Sequence, residues 1–260
     1  MKMKHEELVN TLKRLRLYTA SREYVEVAKQ AEKEKMTYEQ YLANLIQVEL
    51  RVRERNRLKK LIHEAKIPIS KTLEEYNFNI REGITEMQIQ RLSTGEFLRQ
   101  GGNVVFYGGI GVGKTHLAIV LAYKLCELGY RCLYNSTTVL INQLLEAKKN
   151  LELNAFFKKL DRYDLIVCDE LGYIPQTQEG ADLFFQLISQ RAERKSLLIT
   201  TNLTYSEWDK VFLNALTTAA AVDRIIHNCQ TFNIKGPSYR TIVAKKKAEL
   251  LTEEIQQTMQ

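Results

Sequence analysis

Apolar positions follow two rhythms along this chain. In the first 67 residues they recur at helical spacing. Leu8, Leu12 and Leu15 share one face, and Tyr24, Val27, Ala28 and Ala31 share another. Thr37 to Gln40 has the S/T-x-x-E/Q pattern of a capping box and opens a third helix, with Tyr38, Tyr41, Leu45, Val48 and Val52 as its apolar stripe. Pro68 stops that pattern, and residues 68–102 read as a connector with a short helix near Ile84–Leu92. From Asn103 onward short apolar runs alternate with helical stretches. Strands are expected over Asn103–Tyr107, Arg131–Asn135, Leu165–Asp169, Leu197–Thr201 and Thr231–Ile234. Alternation of this kind predicts an α/β fold, a parallel sheet with helices on both faces, following a small all-helical domain. The expected domains are 1–67 and 68–260.

Composition narrows the classes. The apolar and charged fractions, 45% and 27%, suit a globular protein in water. The first twenty residues are rich in charge and do not read as a signal peptide, and no apolar run approaches the roughly 18 residues of a membrane span. A cytoplasmic location without membrane contact is expected. Cys126, Cys132, Cys168 and Cys229 show no C-x-x-C spacing and read as reduced packing residues. Charge is uneven: residues 1–67 hold 16 Lys and Arg against 10 Asp and Glu, a net of +6, and the rest of the chain holds 22 against 21. Most of the excess comes from Arg51, Arg53, Arg55, Arg57, Lys59 and Lys60, offset locally only by Glu54. Two readings stay open for that run, a solvated helix face and contact with a phosphate backbone.

The chemistry concentrates after the first expected strand. Gly108, Gly109, Ile110, Gly111, Val112, Gly113, Lys114 and Thr115 fit G-x-x-x-x-G-K-[ST] at every fixed position, between a strand and a helix that begins at His116. Backbone N–H groups of such a turn wrap an anion at the positive end of the helix. Lys114 is expected to reach the β- and γ-phosphates of a nucleotide and Thr115 to ligate Mg²⁺, and Gly108 to His116 form the expected nucleotide-binding set. The strand Leu165–Asp169 ends in two carboxylates. Asp169 is the expected Mg²⁺ partner of Thr115, and Glu170 the general base for a water attacking the γ-phosphate. Asn202, at the end of the next strand, is expected to orient that water. Glu170 and Asn202 suit water activation, which argues against a small-molecule phosphotransferase.

These residues extend into longer matches: Lys114-Thr115-His116-Leu117-Ala118, Asp169-Glu170-Leu171-Gly172-Tyr173-Ile174-Pro175, Asn202-Leu203, Asp223-Arg224-Ile225-Ile226-His227 and Ser238-Tyr239-Arg240. The N-terminal part adds Leu15-Arg16-Leu17, Tyr38–Leu42 and Glu49 with Arg53. The chain resembles the IstB family of transposition helper ATPases, in the AAA+ branch that includes the DnaC helicase loaders and DnaA initiators. The resemblance implies an AAA+ P-loop ATPase core with a five-stranded parallel sheet, and no C-terminal lid domain after it. It implies ATP with Mg²⁺, Arg224 as an arginine finger reaching a neighbouring subunit's nucleotide, and Arg240 as a second sensor within its own subunit. It also implies a homo-oligomer formed with ATP and duplex DNA, and a cognate transposase as partner. By the same resemblance Lys148, Lys149, Lys158 and Lys159, in the segment from Thr137 to Leu160, would face DNA phosphates, with Arg51, Arg53, Arg55 and Arg57 as the competing surface. No base-reading layout is visible, so binding is expected to be weakly sequence-selective. A helicase loader whose N-terminal helices hold a replicative helicase is the alternative.

Overall fold

The computed structural model describes residues 5–68, 71–173 and 177–242. The chain divides into two compact units, Met1–Lys60 and Leu61–Gln260. That division falls inside the third helix rather than at Pro68.

The first unit holds α1 (His5–Arg14), α2 (Ala20–Lys33) and most of α3 (Tyr38–Ala65). The Thr37–Gln40 capping box closes as expected: Gln40 N–H donates to Thr37 Oγ1 at 3.2 Å and Thr37 N–H to Gln40 Oε1 at 2.8 Å. The apolar stripe departs from expectation at its start. Leu45 is buried and Tyr41, Val48 and Val52 are half-buried, but Tyr38 is 95% exposed, and Leu15 and Ala28 in the preceding segments are exposed too. The centre of the unit holds a carboxylate instead. Glu49 is 3% exposed, and its Oε2 accepts from the N–H groups of Thr19 at 2.7 Å and Ala20 at 2.9 Å. Thr19 gives α2 no side-chain cap of its own, so Glu49 of α3 satisfies the helix start. Arg53 Nε donates to Glu49 Oε1 at 2.7 Å, and its Nη2 donates to Arg16 O. Burial acts to raise the Glu49 carboxyl, but the bonds from Ala20, Arg53 and Thr19 outweigh it and hold the group below its ordinary value.

In the second unit five parallel strands lie in the order β2-β3-β4-β1-β5. They are β1 (Asn103–Gly108), β2 (Cys132–Ser136), β3 (Leu165–Leu171), β4 (Ser196–Thr201) and β5 (Cys229–Ile234). One strand separates β1, which leads into the glycine-rich loop, from β3, which ends in the two carboxylates. It is β4; β2, which lies between them in sequence, is at the sheet edge. Before the sheet come α4 (Glu86–Ser93), with Thr85 and Gln88 closing its capping box, and the short α5 (Glu96–Arg99). The helix α6 (Lys114–Glu127) lies against β1, β2, β3 and β4, with Leu117, Leu121 and Leu125 fully buried. On the other face Val105, Ile166, Cys168, Leu197 and Ile199 join one core with α7 (Thr137–Lys149), α8 (Leu153–Leu160), α9 (Gln178–Arg191) and α11 (Ala215–Ile226). The one-turn helix α10 (Asp209–Phe212) adds Phe212 to that core.

Arg191 is 2% exposed and faces carbonyl oxygens rather than a carboxylate: it donates to Leu160 O, Tyr163 O, Asp164 O and Ser196 O at 3.0–3.3 Å. It ties the end of α8 to the starts of β3 and β4. Burial pulls its guanidinium down to about 10. All four cysteines are free thiols, and Cys126, Cys132 and Cys168 are buried. Among the described residues no helix is long and apolar enough to cross a membrane. Ile174 and Pro175, quoted in the longer sequence matches, lie outside the described residues.

Candidate nucleotide site

The turn from β1 into α6 needs glycine for steric reasons. Gly113 precedes α6 with φ +99°, and a Cβ there would lie 2.5 Å from Tyr76 Cε2. Gly111 has φ +75°, and a Cβ would lie 2.2 Å from Ser238 Oγ. The loop is therefore squeezed between two segments distant in sequence, the connector near Tyr76 and the run after β5. Tyr76 donates from its hydroxyl to Val112 O at 3.2 Å, and burial pushes that hydroxyl up to about 12 against the pull of Arg81. Tyr239 N–H donates to Gly111 O at 2.9 Å, and Arg81 donates to Pro237 O. His116 bonds Thr72 O through Nε2 at 2.6 Å, and burial lowers its affinity for a proton.

Lys114 is half-buried and donates to Gly108 O at 2.8 Å and Gly109 O at 2.7 Å. Burial lowers its pKa, opposed by the charges of Asp169 and Glu170. Asp169 is 4% exposed and accepts three hydroxyl bonds. Oδ1 takes Thr115 Oγ1 at 2.9 Å and Thr200 Oγ1, and Oδ2 takes Tyr134 OH at 2.6 Å. Burial and then the Asp169 charge push the Tyr134 hydroxyl far up, so it remains a donor. Thr137 Oγ1, in the first turn of α7, donates to Asp169 O at 3.0 Å. Glu170 turns outward: it is exposed with φ +60°, and its N–H donates to Thr200 Oγ1 at 2.9 Å.

A cleft of about 870 Å³ opens beside these groups, with Asp169, Gly108, Gly109 and Val112 behind its wall rather than among the residues that line it. Its wall includes Ile110, Gly111, Gly113, Lys114, Thr115, His116, Glu170, Asn202 and Arg240, so most of the expected site residues meet there. Thr200, Thr201 and Tyr239 add to the wall, as do Lys71, Tyr76, Asn77 and Arg81 of the connector, which had no sequence signal pointing to a ligand. Arg224 is not among the lining residues. It lies exposed on α11, donates from Nη1 to Ala220 O at 2.9 Å and stands 5.1 Å from the Phe185 ring centre. Asn214 caps α11, accepting from the N–H groups of Leu216 and Thr217 at 2.9 and 3.1 Å.

The basic residues expected to meet DNA divide into different settings. Lys148 and Lys149 end α7, and Lys158 and Lys159 end α8, all exposed. Lys148 pairs with Glu179 at 2.7 Å, and Lys159 stands 5.9 Å from the Phe156 ring. Arg51, Arg55 and Arg57 are exposed on α3, whereas Arg53 is engaged with Glu49 and Arg16 inside the first unit.

A family profile described as IstB-like ATP binding protein matches residues 10–248. This chain belongs to that family. It is 34% identical over 246 residues to the IS21 insertion-sequence ATP-binding protein of Pseudomonas aeruginosa, covering 95% of this chain and 92% of that relative. Among solved structures, AMPPCP-bound DnaA from Aquifex aeolicus aligns with a TM-score of 0.54 at 19% identity, over 70% of this chain and 56% of that one. The DnaC helicase loader aligns with 0.51 at 23%, over 57% and 87%. At those identities the likeness is one of fold, and the fold is that of an AAA+ P-loop protein. The chain is an ATP-binding member of an insertion-sequence family.

Proposed function

We propose that this protein is an ATPase that assembles on duplex DNA with ATP and serves the transposase of its insertion sequence. The observation that carries the reading is the separation of Arg224 from a cleft that Lys114, Glu170, Asn202 and Arg240 share. A cation on the outer face of α11 is available to a neighbouring copy, and a finger supplied in trans ties hydrolysis to assembly. Lys114 and the loop N–H groups bind the β- and γ-phosphates, Arg240 contacts the nucleotide within its own subunit, Asn202 orients the attacking water, and Glu170 accepts its proton. Thr115 and Asp169 form an all-oxygen donor set that suits Mg²⁺, which when bound neutralises phosphate charge.

The exposed lysines at the ends of α7 and α8 and the arginines of α3 would contact phosphates, so DNA affinity follows charge rather than sequence. Activation and remodelling of the target would belong to the assembled state. The test is to measure particle size and duplex binding with ATP and with ADP, and to ask which partner co-purifies. ATP-dependent growth on DNA and capture of the transposase support the reading. Capture of a replicative helicase alone would favour the loader function, and equal DNA affinity in both nucleotides would remove the link between ATP and assembly.

A further inference from the structure

We propose that Thr200 is a positioning residue that sets both carboxylates of the site, a role that rests on the reading of Glu170 as the base. Cys168 of β3 pairs with Ile199 of β4, and Leu171 pairs with Thr201. Two residues of β3, Asp169 and Glu170, therefore oppose the single residue Thr200, a β-bulge at the point where the carboxylates leave the sheet.

A bulge takes one backbone N–H out of the ladder, and here it is that of Glu170. Thr200 Oγ1 accepts that N–H at 2.9 Å and turns its own proton toward Asp169 Oδ1. One hydroxyl thus serves as acceptor for one carboxylate residue and donor to the other, using both halves of its bonding capacity. Thr200 is 1% exposed, at the floor of the cleft.

The bulge also explains how neighbouring residues reach different places. Along a regular strand Glu170 would lie on the face opposite Asp169 and pack against the sheet. With φ +60°, a conformation that side chains other than glycine enter at a cost, it swings out into the cleft while Asp169 stays buried beside Thr115. A strained backbone persists only where its surroundings hold it, and the Thr200 bond to the Glu170 N–H is a direct hold on that peptide.

The test separates position from binding and from folding. Thr200→Val keeps the branched shape and the burial but has no hydroxyl. With the full-length protein, ATP and duplex DNA, kcat should fall by about 10- to 100-fold, as is found when an outer support of a catalytic group is removed. Affinity for a fluorescent ATP analogue should stay close to wild type, and the thermal unfolding midpoint should fall by only a few degrees, because the Glu170 N–H loses its acceptor while the fold is kept. Thr200→Ser should recover most of the rate, because it restores the hydroxyl alone. Glu170→Gln is measured alongside. If it turns over at the wild-type rate, the base reading fails and the proposal falls with it. If Glu170→Gln is inactive while Thr200→Val keeps its full rate, or if Thr200→Ser is as slow as Thr200→Val, the role of Thr200 is refuted on its own. Should Thr200→Val not fold, Thr200→Ala and Thr200→Ser carry the same comparison.

Discussion

Arg224→Ala should separate the assembly-linked hydrolysis proposed for this chain from its folding and ATP binding. Within its own subunit this side chain makes one bond to Ala220 O and one ring contact with Phe185, both at an exposed position. Removing an exposed interaction of that kind costs about 0.5–1 kcal/mol, so folding and ATP binding should survive. Removing a finger that neutralises transition-state charge costs about 10³–10⁵ in rate, or roughly 4–7 kcal/mol of barrier. The gap between those magnitudes makes the result readable. Glu170→Gln supplies the complement, since it keeps the finger and lacks the base. In an equal, random mixture about a quarter of head-to-tail interfaces join an intact Glu170 to a neighbour's intact Arg224, and activity should recover to about that fraction of wild type. A finger acting within its own subunit predicts no recovery, because no subunit in the mixture has both residues. The assay is multiple-turnover hydrolysis with duplex DNA across mixing ratios, with differently labelled variants to verify that assemblies are mixed. Mixed assemblies without rescue at any ratio would refute the trans arrangement.

Three further outcomes are expected. Neutralising Lys148, Lys149, Lys158 and Lys159 should weaken duplex binding for all sequences and flatten the slope of log affinity against log salt by about 0.9 for each phosphate no longer neutralised, with Lys148 contributing least because Glu179 already holds it; an unchanged slope in a salt titration would move DNA to α3. Tyr134→Phe should raise the Mg²⁺ concentration needed for half-maximal turnover, since Asp169 Oδ2 is then without its donor at 2.6 Å, and an unaltered Mg²⁺ titration would refute that support. Glu49→Gln should destabilise the first unit by about 2–4 kcal/mol near neutral pH. The Glu49 carboxyl is held below its ordinary value, so its stabilisation is complete above that value and fades as pH falls through the lowered one. Denaturant titrations at a series of pH values should therefore show wild type and variant converging in acid, and a difference that grows in acid would reverse the assignment.

The parts of this molecule legible in sequence are those whose physics is local. A phosphate loop is eight consecutive residues, and the positive φ values at Gly111 and Gly113 follow from glycines visible in the string. Strand and helix alternation predicts five parallel strands with ends close to those observed, because a buried parallel strand is a continuous apolar run. Capping boxes at Thr37 and Thr85 close within four residues of chain. Glu49 shows where this kind of reading stops. The Tyr, Leu and Val spacing of α3 predicts an apolar stripe, yet a carboxylate one residue after Val48 fills the centre, because the start of α2 needs an acceptor that no residue of α2 supplies. That need is visible only once two helices about 30 residues apart in sequence are side by side.

Asp169 makes the same point at the site. Its neighbours Thr115, Tyr134, Thr137 and Thr200 come from four different elements, and each is an ordinary residue of its own strand or helix. A Thr one position after an apolar run reads as a strand residue with good β-propensity, and nothing in Ile199-Thr200-Thr201 marks which hydroxyl turns toward β3. Register decides it, and the register is shifted by a bulge that has no glycine to announce it. Glu170 takes the left-handed conformation itself, where a glycine would relieve the backbone and remove the carboxylate. On the proposed reading of Glu170 as the base, a glycine at the bulge would relieve the backbone at the expense of the reactive group, and the supports of such a site are harder to read from sequence than the carboxylates they hold.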